Sequence, residues 1–137
     1  MSDNPSPAHK AFGDIAPALA DYTDRVLFGD VWKRPGLSPR DRSLITVASL
    51  IANYRTNELP FHLKKALENG ITRDELIEVV THLAFYSGWP TASSALSVAR
   101  RVFDERGAER STCSVEEYRS AHGRLRDMAS KIGTGGR

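Results

Sequence analysis

Two acid–imidazole pairs stand out. In "TNELPFHLKKAL" Glu58 precedes His62 by four residues, and in "ELIEVVTHLAFYSGWP" Glu78 precedes His82 by the same interval. On a helix that interval places both side chains on one face, one turn apart. A carboxylate one turn before an imidazole can hold it in one tautomer, the arrangement that general acid–base chemistry uses. Both histidines fall at the border of an apolar face, beside Leu63 and beside Val79 and Leu83. Partial loss of water at such a border shifts pKa values. The ordinary alternative is a solvated Glu–His surface pair contributing a few tenths of a kcal/mol. For Glu58 it is simply a favourable charge near a helix N-terminus. Cations for a carboxylate ligand come from "KRPGLSPRDR", which holds Lys33, Arg34, Arg40 and Arg42, and from Arg55. Most of these read as a solvated helix start. Arg42, one turn into its helix, is the best placed to enter a cleft, and Arg55 is second. Tyr86 and Trp89 in "YSGWPTASSA" could wall such a pocket, or belong to a core or interface.

Other chemistries fit less well. Carboxylate metal sites in helical bundles use Glu-x-x-His, whereas both pairs here are Glu-x-x-x-His, and HExxH is absent, so no metal site is expected. The single cysteine, Cys113, excludes an internal disulfide or a CxxC pair, and it has no histidine at motif spacing. A net charge of +2 with interspersed acids and bases argues against a nucleic-acid partner. The longest apolar run, "LITVASLIA", is too short for a bilayer, and "MSDNPSPAHK" has no apolar leader, so no membrane partner and a cytoplasmic location are expected.

The elements that must position these residues read as helices throughout. Hydrophobic residues at 40% and charged residues at 26% suit one soluble domain in 137 residues. Residues 1–9 read as a disordered tail, 10–107 as the domain, and 108–137 as a partly helical extension. A first helix is expected over 10–28, with Ile15, Leu19, Tyr22 and Val26 as its buried stripe and Pro17 as a possible break. The next starts at Ser38 as cap, with Pro39 first and Asp41 three on. Leu44, Val47, Ala48 and Ile51 form its stripe, and Ile45 and Leu50 widen it to a helix buried on most sides. A third begins with Asn57 as cap and stops at Gly70. Thr72 and Glu75 then form a capping box, and Gly88 ends that helix. A small-residue helix over about 91–105 offers a subunit interface, and a weakly amphipathic helix follows in "VEEYRSAHGRLRDMA".

Three segments together carry a resemblance. "FGDVWKRPGLSPRDRSLITVASLIA", "ELPFHLKKALENGITRDELIEVVTHLAFYSGWP" and "ASSALSVARRVFDE" resemble, in order and spacing, the carboxymuconolactone decarboxylase family over roughly 20–106. The resemblance implies the all-α, alkylhydroperoxidase D-like helical fold and oligomers, commonly trimers or hexamers with sites near subunit interfaces. The peroxidase branch carries a Cys-x-x-Cys before the histidine that corresponds to His62. Arg55 and Glu58 stand at those positions here, and Ser43 at the place of a catalytic glutamate. Without thiols that peroxidase chemistry is excluded. The decarboxylase branch acts in the protocatechuate arm of aromatic catabolism. It removes carbon dioxide from 4-carboxymuconolactone without a cofactor, giving the β-ketoadipate enol-lactone. The resemblance thus implies a small carboxylate or lactone substrate and no cofactor. It adds weight to His62, His82 and Glu58, with Glu78 tuning the second histidine. In that chemistry Arg42 or Arg55 holds the retained carboxylate, and a histidine stabilises the developing dienolate and serves as acid. Two further readings stay open: a hydrolase or isomerase of a related lactone, and a non-catalytic assembly protein of the same fold.

Overall fold

The structure, a computed structural model, describes residues 4–107. Its elements are α1 (Pro7–Phe12), α2 (Pro17–Tyr22), a π-helical turn (Thr23–Phe28), a 3-10 turn (Val31–Lys33), α3 (Pro39–Ala52), α4 (Leu59–Glu68) and α5 (Arg73–Ser87). A last helix, α6, occupies 89–107. No strand occurs among the described residues, so the all-α expectation holds there. The helix expected in "VEEYRSAHGRLRDMA", the extension 108–137 and Cys113 lie outside them.

The core joins α3, α4, α5 and α6. Val47 and Ile51 of α3 meet Leu59, Leu63 and Ala66 of α4, Leu76 and Val80 of α5, and Ala95, Val98 and Val102 of α6. Local chemistry starts and stops these helices much as expected. The Ser38 hydroxyl accepts the Asp41 N–H at 3.0 Å, and Pro39 follows, where a missing N–H costs nothing. Thr72 accepts the Glu75 N–H at 3.1 Å while the Glu75 carboxylate accepts the Thr72 N–H at 2.8 Å. Thr72→Ala is therefore expected to lower stability by about 1 kcal/mol in denaturant unfolding.

Two helix ends solve one problem differently. After α4, Gly70 takes φ 91°, a conformation that suits glycine. After α3 the same left-handed position is held by Tyr54, φ 55°. The Tyr54 N–H reaches Ile51 O at 3.0 Å and the Arg55 N–H reaches Leu50 O at 2.8 Å. A side chain is disfavoured in this conformation by about 1 kcal/mol or more. Tyr54→Gly should raise the unfolding midpoint slightly; a lowered midpoint would show that the exposed phenol stabilises the junction.

The structure corrects several expectations. A helix begins at Pro7, inside the stretch 1–9, because Ser6 caps it and Pro7 fits the first turn. The helix expected over 10–28 is three pieces. Pro17 forces Ala16 out of the helical region, to φ −140° and ψ 63°, and the turn after Tyr22 widens to a π-helix. These breaks change the phase of the stripe. Ile15, Leu19, Tyr22 and Val26 all lie exposed, Ile15 at 82%, and Ala20 alone of α2 is buried. α3 buries one face, Ser43, Val47 and Ile51, and Ile45 is exposed. α4 is capped by Glu58 in place of Asn57, with no side-chain bond to the cap. The small residues Ala92, Ala95 and Ala99 of α6 face this domain's own core, where they let the helix approach closely.

Candidate functional site

The two acid–histidine pairs lie in different surroundings. Glu78 and His82 project from α5 onto an open groove of about 420 Å³ against α3, floored by Leu44, Val79 and Leu83. Both are exposed, and no hydrogen bond or ion pair joins them among the described residues. His82 instead lies against Tyr86, ring centroids 4.9 Å apart. A second pair, not anticipated from the sequence, occupies the groove's end: Arg40 donates to the Glu75 carboxylate. The Thr72 backbone N–H and then Arg40 hold the Glu75 carboxyl below the usual range, against the opposing effect of burial. That arginine is already partnered, so the groove presents little free positive charge.

His62 is placed otherwise. It lies on α4 beneath the connector that leads into α3, with its ring half-buried. Trp32 of the 3-10 turn lies nearly parallel to it, centroids 6.2 Å apart at 20°. Phe61 meets it edge-on at 5.0 Å and 86°. His62 Nδ1 is enclosed and has no partner among the described residues. Burial, and then the nearby Lys65 ammonium, push the imidazole below its ordinary value of 6.5, while Glu58 opposes them. A dry ring nitrogen without an acceptor cannot hold a proton cheaply, so the geometry and the charge both favour neutral imidazole. Glu58 is exposed and does not bond the ring.

Arg42 flanks the same connector. Its Nη2 donates to Arg34 O at 2.9 Å, and its Nε is enclosed without a partner among the described residues. A guanidinium keeps its charge, so an unused buried donor is a group a ligand can satisfy. Arg55 is exposed on the loop before α4. Trp89, 67% exposed, borders a shallow hollow between α5 and α6 with Val80 and Ala92, and Tyr86 is 78% exposed. The structure thus sets His62 against Trp32 and Arg42 against Arg34, two points of the connector, and places Glu78, His82, Tyr86 and Trp89 on and around α5.

The first helices hold this connector in place. His9 of α1 sits between two carboxylates, its Nδ1 3.0 Å from Asp24 and its Nε2 3.3 Å from Asp21. Asp24 belongs to the π-helical turn that ends in Phe28, and Phe28 contacts Trp32 at 6.0 Å. None of His9, Phe28, Trp32 or Lys65 was singled out from the sequence. The only available signal was the four-residue interval between Phe28, at the end of the helix expected over 10–28, and Trp32 in the connector after it. Among the described residues no group of three or more His, Cys, Asp or Glu side chains could hold a metal ion, and no helix is long and apolar enough to cross a membrane.

Comparison with known proteins now decides the family. The sequence profile of the carboxymuconolactone decarboxylase family matches residues 17–101, a span that includes Trp32, Arg42, His62 and His82. The chain belongs to this family. Among carboxymuconolactone decarboxylase relatives, it is 41% identical over 94 residues to a 4-carboxymuconolactone decarboxylase of Acinetobacter baylyi, covering 69% of this chain and 70% of the relative. It is 37% identical over 78 residues to the nitrosuccinic acid decarboxylase npaB of Metarhizium robertsii, covering 57% of this chain and 54% of that protein. An uncharacterized 15.0 kDa protein of Paracoccus denitrificans is 26% identical over 111 residues, covering 77% of this chain and 83% of its own length.

Proposed function

We propose that this protein is a decarboxylase of a small acid bearing two carboxylates, with a carboxylated lactone such as 4-carboxymuconolactone as substrate and no cofactor. The names of two relatives support the reaction type. The two named substrates share a feature: each is a carboxylic acid that also carries an electron sink, a lactone carbonyl in one and a nitro group in the other. The observation that carries the reading here is that His62 and Arg42 each keep an enclosed nitrogen without a partner among the described residues, His62 under Trp32 and Arg42 bonded to Arg34 O.

Arg42 takes the retained carboxylate. Held on the departing carboxylate it would stabilise the ground state and slow the reaction. As the carbon–carboxylate bond breaks, its electron pair moves through the ring double bond onto the lactone carbonyl oxygen. Neutral His62 meets that oxygen with the N–H of Nε2, since Nδ1 is enclosed. One proton is then taken up at a ring carbon for each carbon dioxide lost. Glu58, exposed one turn before His62, is the carboxyl group placed to relay it. Self-association as trimers or hexamers in the cytoplasm belongs to the same proposal, supported by the exposed apolar stripe of Ile15, Leu19, Tyr22 and Val26.

The test uses Arg42→Met with 4-carboxymuconolactone generated in situ, following carbon dioxide release. KM is expected to rise about 10- to 100-fold with a smaller change in kcat, the signature of a lost carboxylate anchor. Unchanged KM would remove Arg42 from the site.

A further inference from the structure

His62 is one wall of a closed ring of four aromatic side chains. Phe28 contacts Trp32 at 6.0 Å, Trp32 contacts His62 at 6.2 Å, His62 contacts Phe61 at 5.0 Å, and Phe61 returns to Phe28 at 6.1 Å. The two flatter contacts are those of Trp32, at 29° and 20°, and the two edge-on contacts are those of Phe61, at 68° and 86°. The Lys65 ammonium caps the ring, 5.0 Å from the Trp32 centroid and 5.4 Å from that of Phe28. Lys65 has no carboxylate partner among the described residues, so these two aromatic faces are its electrostatic contacts.

We propose that Trp32, pinned by Lys65, is the positioning residue of His62: it fixes the plane of the imidazole and keeps water off its face. An imidazole held only by a helix stem swings about two torsions. Here an indole covers one face and a phenyl edge blocks the swing. The charged groups that bear on the ring are Lys65 on α4 and Glu58 at the cap of that helix; from the connector side the ring meets the uncharged indole. Removing the indole admits water, and removing the ammonium removes the nearby positive charge. Both changes favour the imidazolium.

The structural part of this proposal is independent of the reaction, and only its kinetic part rests on the decarboxylase reading. The test is a histidine NMR titration, with the His62 signal assigned by His62→Gln, in the wild type, Trp32→Phe, Trp32→Ala and Lys65→Met, together with kcat and KM. The His62 midpoint is expected to move up towards 6.5 in Trp32→Ala and in Lys65→Met, and to stay near the wild-type value in Trp32→Phe. Trp32→Ala should lose about 10- to 100-fold in kcat with less change in KM. A His62 midpoint unmoved in Trp32→Ala overturns the proposal. If Trp32→Ala does not fold, Trp32→Gln, which keeps bulk but brings a polar group to the imidazole face, takes its place with the same expected rise, and an unmoved midpoint there overturns the proposal. Shifted midpoints with no wild-type turnover would uphold Trp32 as the positioning residue and overturn the decarboxylase reading.

Discussion

His62→Ala is expected to lower kcat/KM for carbon dioxide release by about 10²- to 10³-fold, the range for removing one donor to a developing oxyanion, and to leave the protein folded. The ring is only half-buried and its enclosed nitrogen has no partner among the described residues, so its loss breaks no internal hydrogen bond. His82→Ala should cost far less, because that imidazole is exposed and leans on Tyr86. The pH dependence follows from the direction of the His62 shift. Its folded-state pKa lies below 6.5, lowered first by burial and then by Lys65. Activity that needs neutral imidazole therefore persists as pH falls past 6.5 and declines only through the lower folded value. Stability has the same sign. Above 6.5 both states are neutral and the full stability is present; as pH falls, the unfolded chain takes up the proton first and stability drops. His62→Gln should show a shallower loss of unfolding midpoint than the wild type between about pH 7 and 5, and parallel losses would contradict the assigned shift.

Leu63→Ala, one residue further along α4, should do the opposite. Leu63 is 1% exposed and packs in the core formed by α3, α4, α5 and α6. Truncating a leucine at such a site costs about 2–5 kcal/mol. Domains of this size are stable by about 5–15 kcal/mol in all, so a large fraction is lost. Activity per folded molecule should fall far less than in His62→Ala. The two neighbours thus separate what α4 does for the core from what it does for the site. Denaturant unfolding with assays at low temperature checks both, and a stability change under about 1 kcal/mol for Leu63→Ala would show the site collapsing around the lost side chain.

The parts of the fold that were legible in the sequence are those set by local chemistry. Ser38 with Pro39 and Asp41, Thr72 with Glu75, and Gly70 and Gly88 each act within a few residues, and each begins or ends a helix in the structure. Over residues 10–28 the break at Pro17 is where the sequence places it, but the buried stripe is not, because phase accumulates along a helix. Pro17 and the π-helical turn each reset it, and the stripe of Ile15, Leu19, Tyr22 and Val26 turned outward. The candidate histidines were legible as residue types on helix faces. Their burial was not, since identical Glu-x-x-x-His spacings gave an exposed His82 and a half-buried His62. What separates them is the tertiary approach of Phe28 to Phe61 and of Trp32 to His62, some thirty residues apart in sequence, which no local pattern encodes.

The most direct test of the decarboxylase account is carbon dioxide release, followed with ultraviolet absorbance, from 4-carboxymuconolactone generated in situ by dialysed protein, comparing the wild type with His62→Ala and His82→Ala. The account predicts release well above the spontaneous rate in the wild type, near-complete loss in His62→Ala and substantial retention in His82→Ala. Wild-type release no faster than the spontaneous reaction would contradict the proposed function, and full turnover in His62→Ala would contradict the site.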